Sequence, residues 1–377
     1  MTVNKKNLKH AIIESLKAQG FTVNNAIHPP SDDKEILRGI QKNSRLEQIS
    51  LHKKFLIENF HYAKKFCRSG WEINPKKIDL ELREIKPESD NEKLYRWWNF
   101  IWWSIPFQRS YGRQMRFFLW DKTHDAPFGL FNIQSPVLKM SVRDKYLEIP
   151  KQDLDVWVNR SMHAQRVGAL PPYNELLGGK MVALSLISNE IKEAYHKKYH
   201  NSVSLLKQRT LDSDLLFITT TSAFGKSSMY DRLKIDKEPI AIPIGFTQGY
   251  GSFQISERIY QEILEYLRET GLNTARCYGN GPSKKLKLLD QAFKILKLPE
   301  FDRHGIKREF YLFPLVHNLK EIIKNGEEPQ WKNRSFNDLQ EYWRQRWALK
   351  RAKSMKCWKK FKKNDYFKEI ELTLNHL

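Results

Sequence analysis

Cysteine is scarce in this 377-residue chain: Cys67, Cys277 and Cys357 lie far apart, with no CxxC or CxxxH spacing between them. A disulfide framework and a structural zinc site both need paired ligands at short range, so neither is expected, and the usage fits a reducing cytoplasm. Long apolar runs are missing too. The longest, Ile101 to Phe107 and Met181 to Ile187, fall far short of the roughly 18 residues that a membrane span requires. The first twenty residues mix charged and apolar positions, without a continuous apolar stretch or a small-residue cleavage site, and do not read as a signal peptide. No HExxH, GxSxG or paired CxxC occurs, and the eleven histidines do not cluster at ligand spacing. Asp121, Asp125 and Asp155 are spread out, so no metal set is assigned and spacing alone establishes no catalytic group.

Negative charge is the other deficit. Against 43 Asp and Glu stand 65 Lys and Arg, a formal net charge of +22. Such a balance speaks to partners rather than to fold: nucleic acid first, then an anionic membrane face or an acidic protein surface. With 40% hydrophobic residues, 12% aromatics and 11 tryptophans, the chain carries far too much apolar surface to be disordered.

The pattern along the chain suggests three regions: residues 1–74, helical; 75–255, built on a mixed sheet; and 256–377, mainly helical. In the first, Leu8, Ile12 and Leu16 recur every four residues before Gly20, and Ser31 with Asp32 and Asp33 opens a second helix after the Pro29 and Pro30 break. In the second, Ile78 to Ile85 alternates as a half-buried strand does. Glu92 to Ser104, rich in tryptophan and without period 2, suits a helix packed on two sides. Gln114 to Trp120 and Phe128 to Ile133, joined by a turn, read as a hairpin. Strands are expected around Asp155 to Arg166, at Leu215 to Thr221 and at Ile240 to Phe246, with helices from about Leu176 and over Ser227 to Leu233. In the third, Lys307 to Val316 is strand-like. The fold class is α/β or α+β, helices layered on one mixed sheet.

Four stretches carry chemistry. In Met162 to Lys180 (MHAQRVGALPPYNELLGGK), glycines near a helix start expose amide groups to an anion, and Lys180 adds charge; the same residues also suit a tight strand-to-helix corner, with Tyr173 and Asn174 as caps or ligands. In Thr219 to Arg232 (TTTSAFGKSSMYDR), Gly225, Lys226 and Ser227 echo a P-loop, but Thr220 stands where its first glycine belongs, so a P-loop is rejected. A polar strand end remains, with Thr219, Thr220, Thr221, Lys226 and Arg232 as pocket candidates. Gln248, between Gly245 and Ser252, joins them, although a β-bulge or bend is the better explanation of the glycines there.

The fourth stretch is Trp343 to Lys368. It holds Arg344, Arg346, Lys350, Arg351, Lys353, Lys356, Lys359, Lys360, Lys362, Lys363 and Lys368, opposed within that span by Asp365 alone. Trp343, Trp347, Trp358 and Phe361 interleave with them, a mixture suited to base stacking plus phosphate contact, or to a solvated helix whose tryptophans pack on the body. Six phosphate contacts would give log K a slope of about −5 against log salt on duplex DNA.

Taken together, SYGRQMRFFLWD, HAQRVGALPPYNELLGGKMVALSL, TTTSAFGKSSMYDRL, IPIGFTQGYGSF, RHGIKREFYLFPLVHN and YWRQRW resemble, in this order, the DruA proteins of the bacterial Druantia anti-phage defence systems. The resemblance runs from about residue 75 to about residue 350. It implies a bacterial cytoplasmic protein acting beside other defence subunits, including a large helicase, and it supplies no catalytic residues. The order of elements is also similar to acyltransferases of the GNAT superfamily, whose (Q/R)xxGx(G/A) loop binds coenzyme A. That likeness implies Gln165, Arg166 and Gly168, with Gly178, Gly179 and Lys180, near cofactor phosphates, and Tyr230 as general acid. Leu170 and Pro171 depart from the loop pattern. Three readings follow: a DNA-binding defence subunit, a GNAT-type acyltransferase acting on nucleic acid or protein, and a non-catalytic scaffold. A homo-oligomer is compatible with each.

Overall fold

The computed structural model describes residues 4–106, 112–203, 208, 210, 212–275, 284–298 and 300–377. Cys277, Phe107, and Ser110 and Tyr111 of the first quoted stretch lie outside them.

One seven-stranded mixed sheet organises the molecule. Its strands are β1 (Leu80–Glu84), β2 (Gln114–Asp121), β3 (Ala126–Gln134), β4 (Ser161–Ala169), β5 (Phe217–Thr221), β6 (Ile242–Phe246) and β7 (Glu309–Pro314). In space they run β6-β7-β5-β4-β3-β2-β1, and every neighbouring pair is antiparallel except β4 and β5. The expected hairpin is β2 and β3. The late run from Lys307 does form a strand, and it enters this same sheet between β5 and β6.

Alternation sends successive side chains to opposite faces. On one face, Met162 and Ala164 of β4, Ile218 of β5 and Tyr311 and Phe313 of β7 pack with the Gly178–Ser185, Asn189–Tyr199 and Phe336–Trp343 helices. On the other, Phe118, Trp120 and Leu130 meet the tryptophan-rich Asp90–Ile101 helix, where Trp97 and Trp98 are buried, as a helix packed on two sides requires. Further along that face, Phe217 and Leu312 meet Leu154, Leu319 and Ile322. The N-terminal Lys5–Ala18 helix lays Leu8, Ile12 and Leu16 against the Glu257–Glu269 and Lys284–Leu296 helices, and its chain turns at Gly20 with φ +90°.

Two expectations need correction. Asp155 to Asn159 is not strand: Leu154–Asn159 is a helix, because the buried pair is Leu154 and Val158, four apart, while Val156 faces solvent. The second helix begins at Lys34, and Asp33 rather than Ser31 caps it, accepting hydrogen bonds from the amides of Glu35 and Ile36.

Candidate functional site

Strands β4 and β5 pair over four residues only, Ser161 to Ala164 against Phe217 to Thr220. Beyond Ala164, β4 stays with β3 through a bulge at which Arg166 takes φ +58°. The sheet therefore opens beside the C-terminal end of β5. Gln165, Arg166 and Gly168, nominated as an anion-binding loop, are strand residues: Gln165 lies opposite Asn132 and Gly168 opposite Leu130. Arg166 is buried and donates from Nη1 to Asn132 Oδ1 at 3.0 Å. Gly168 is required by packing, since a Cβ there would stand 2.8 Å from the Trp102 ring.

The PPYNELLGGK corner is mostly internal. Tyr173 is buried and donates to Asp121 Oδ2 at 2.9 Å; His124 Nδ1 lies 2.6 Å from that same oxygen, so the corner is pinned to the β2–β3 hairpin. Asn174 is exposed and donates to Glu175. A Cβ on Gly178 would meet the Tyr173 carbonyl at 2.7 Å, and one on Gly179 the Met229 sulfur at 2.8 Å. The Lys180 ammonium donates to the carbonyls of Met229 and Arg232 and lies 5.0 Å from the Trp347 ring centroid. Burial, then Arg232 and Arg346, pull its pKa down to about 8.

At the end of β5 two of the nominated residues, Thr220 and Tyr230, come together. Thr220 Oγ1 donates to the Ala164 carbonyl at 2.8 Å, bridging the strands where they part. Tyr230 is buried beside it, its phenol pushed up by burial and held protonated, with its ring 4.8 Å from Tyr311. The Tyr311 hydroxyl bonds Glu309 and Asp231, the latter at 2.7 Å, and accepts from the Ser227 amide at 3.0 Å. Burial and the two carboxylates keep this phenol protonated. On the opposite face Thr219 Oγ1 meets His163 Nδ1 at 3.0 Å. Lys226, Arg232 and Gln248 are exposed, and Thr221 is half-buried. Glu309, Tyr311 and His163 were missed from sequence. Spacing held a signal: Glu309 and Tyr311 are two apart on a strand and so share its face.

Two histidines, His163 half-buried and His304 buried, set a pH response. Burial, then Arg143, push His163 from 6.5 down to about 4; burial, then Arg308, push His304 down to about 3. Below pH 6.5 the unfolded chain takes up protons that the folded chain refuses, so stability is lost as pH falls from 6.5 through 4 toward 3. The slope reaches at most about 1.4 kcal/mol per pH unit for each histidine. Thermal unfolding across this window should show a flatter decline for His163→Gln than for the natural chain; parallel curves would refute the assignment.

The basic C-terminal region is folded. Trp343 and Trp358 are buried, and Trp343 Nε1 donates to the Leu177 carbonyl at 3.1 Å. Trp347 and Phe361 pack partly buried against the core, so these four rings are structural rather than presented for stacking. Arg344 donates to the Ile78 carbonyl and pairs with Glu341; Arg351 donates to the Glu175 carbonyl; Lys363 is half-buried. Arg346, Lys350, Lys353, Lys356, Lys359, Lys360 and Lys362 are exposed and form no ion pair among the described residues.

Among the described residues no group of three or more His, Cys, Asp or Glu is placed to hold a metal, and no helix is long and apolar enough to cross a membrane. These features define an α/β protein with one mixed sheet, parted between its two parallel strands, and a folded cationic surface. The chain belongs to the DruA family: the family profile described as Druantia protein DruA matches residues 31–325. Over 374 residues it is 32% identical to a Druantia protein DruA of Escherichia coli (strain UMEA 4076-1), covering 97% of this chain and 92% of that protein. No solved structure matches the chain at a significant level.

Proposed function

We propose that this chain is the DNA-binding subunit of a Druantia anti-phage defence system, acting in the cytoplasm with partner subunits that include a helicase. Family membership supports the defence role. The observation that carries DNA binding is the run of exposed cations from Arg346 to Lys362, with no carboxylate partners among the described residues. Ion pairs would have neutralised such a surface; without them it retains its field for phosphates. Binding of labelled DNA by the full chain should weaken steeply with salt. Affinity that does not respond to salt would refute the reading.

A second reading, a GNAT-type acyltransferase, draws on the parallel β4 and β5 and their separation beyond Ala164. The residues nominated for coenzyme A do not form a phosphate cradle: Gln165 and Gly168 lie in the strand ladder, Gly178 and Gly179 face protein atoms, and Lys180 is held by two carbonyls. Calorimetric titration with acetyl-coenzyme A is expected to give no heat at millimolar ligand; saturable heat would restore this reading.

A further inference from the structure

Of the eleven tryptophans, Trp71 alone is exposed among the described residues, with 60% of its surface open. Single exposed apolar residues are ordinary, so the setting decides its meaning. Trp71 sits in the Gly70–Glu72 turn, which Ser69 and Glu72 lock from both ends: the Glu72 carboxylate accepts the Ser69 amide at 2.6 Å, and Ser69 Oγ accepts the Lys363 amide at 3.2 Å. That turn packs on the Cys357–Lys360 turn, where the Gly70 amide donates to the Phe361 carbonyl at 2.9 Å. Trp71 thus stands on a backbone packed against the turn that carries Lys359 and Lys360, with the Lys359 ammonium 5.4 Å from the Trp358 ring centroid. Lys356 and Lys362 flank that turn, and Lys76 and Lys77 follow Trp71 in the chain, all exposed. Glu72 is the one acid of the turn, and its carboxylate is occupied at the cap.

An open aromatic ring on a turn packed against lysines that make no ion pair among the described residues matches an unpaired base stacked above its own backbone. Duplex DNA hides its base faces inside the helix and has nothing to offer the ring. We infer that Trp71, with Lys356, Lys359, Lys360 and Lys362, forms a stacking platform for single-stranded nucleic acid. This rests on the DNA-binding reading and specifies the form of its ligand.

The test uses the full chain, an oligothymidylate of about 20 nucleotides and a duplex of about 20 base pairs, read by fluorescence anisotropy at low salt. Trp71→Ala is expected to weaken single-strand binding roughly 5- to 150-fold, the equivalent of one stacked base, while Trp71→Phe restores most of it and duplex binding holds. Because the ring is exposed, both variants should keep the natural chain's thermal midpoint. Single-strand affinity unchanged in Trp71→Ala, or lost to the same degree on duplex, overturns the platform. If binding by the natural chain to both DNAs is insensitive to salt, the DNA-binding reading fails, and the platform falls with it.

Discussion

Gly70→Ala is expected to destabilise the protein by about 3 kcal/mol or more and to free its basic C-terminal region for proteolysis. The glycine is needed for space. An added Cβ would lie 1.8 Å from the Trp358 carbonyl oxygen, 2.7 Å from its carbon and 2.8 Å from the Lys359 Cα. All three are backbone atoms, so no rotamer change relieves the clash, and the Cys357–Lys360 turn must lift away. Lifting it breaks the hydrogen bond from the Gly70 amide to Phe361 and withdraws Trp358, 3% exposed, from the core. The helix that follows, Lys363–His376, is anchored by Phe367 stacked on Trp97 at 5.4 Å, and it loses its N-terminal tether at Ser69. Denaturant unfolding should show a lower midpoint, and limited trypsin digestion should cut first between Lys356 and Lys363. Unchanged stability and cleavage would mean that the two turns do not pack as described.

What could be read from the sequence divides along physical lines. Period and length revealed strands of the sheet and the β2–β3 hairpin, because burying one face of a regular element leaves a regular trace, whereas the tryptophan helix showed through its lack of that period and its apolar content. The Leu154–Asn159 helix left none: over six residues, alternation and an i, i+4 pair overlap, and only the burial of Leu154 and Val158 separates them. Glu309 and Tyr311 gained meaning from a residue 80 positions before Tyr311, since Asp231 reaches the Tyr311 hydroxyl only because β7 inserts next to β5. The C-terminal segment shows a further limit. Interleaved lysine and tryptophan read alike for rings that stack on bases and rings that fill a core. Here Trp343 and Trp358 fill the core, and the exposed ring comes from Trp71, in a turn almost 300 residues earlier that carried no motif.

That burial also decides how the cationic surface should be tested. Removing the chain from Arg344 onward would strip Trp358, Phe367, Ile370 and Leu374 from the core, so lost DNA binding would report unfolding as readily as lost contacts. Lys350, Lys353, Lys356 and Lys360 offer a cleaner change, since they are exposed and free of ion pairs among the described residues. Replacing all four by Gln should leave stability within about 0.5 kcal/mol per site, as surface substitutions do. If each side chain meets a phosphate, four fewer counterions are released, and the log K against log salt slope on duplex DNA becomes shallower by about 3 to 4. Because the released ions carry most of the driving force at low salt, affinity there should fall at least tenfold, on the order of 1.4 kcal/mol. Anisotropy titrations at several salt concentrations measure both quantities on one protein. A lower affinity with an unchanged slope would mean that these lysines shape the surface without meeting phosphate; unchanged affinity and slope would move the nucleic-acid contact off this face.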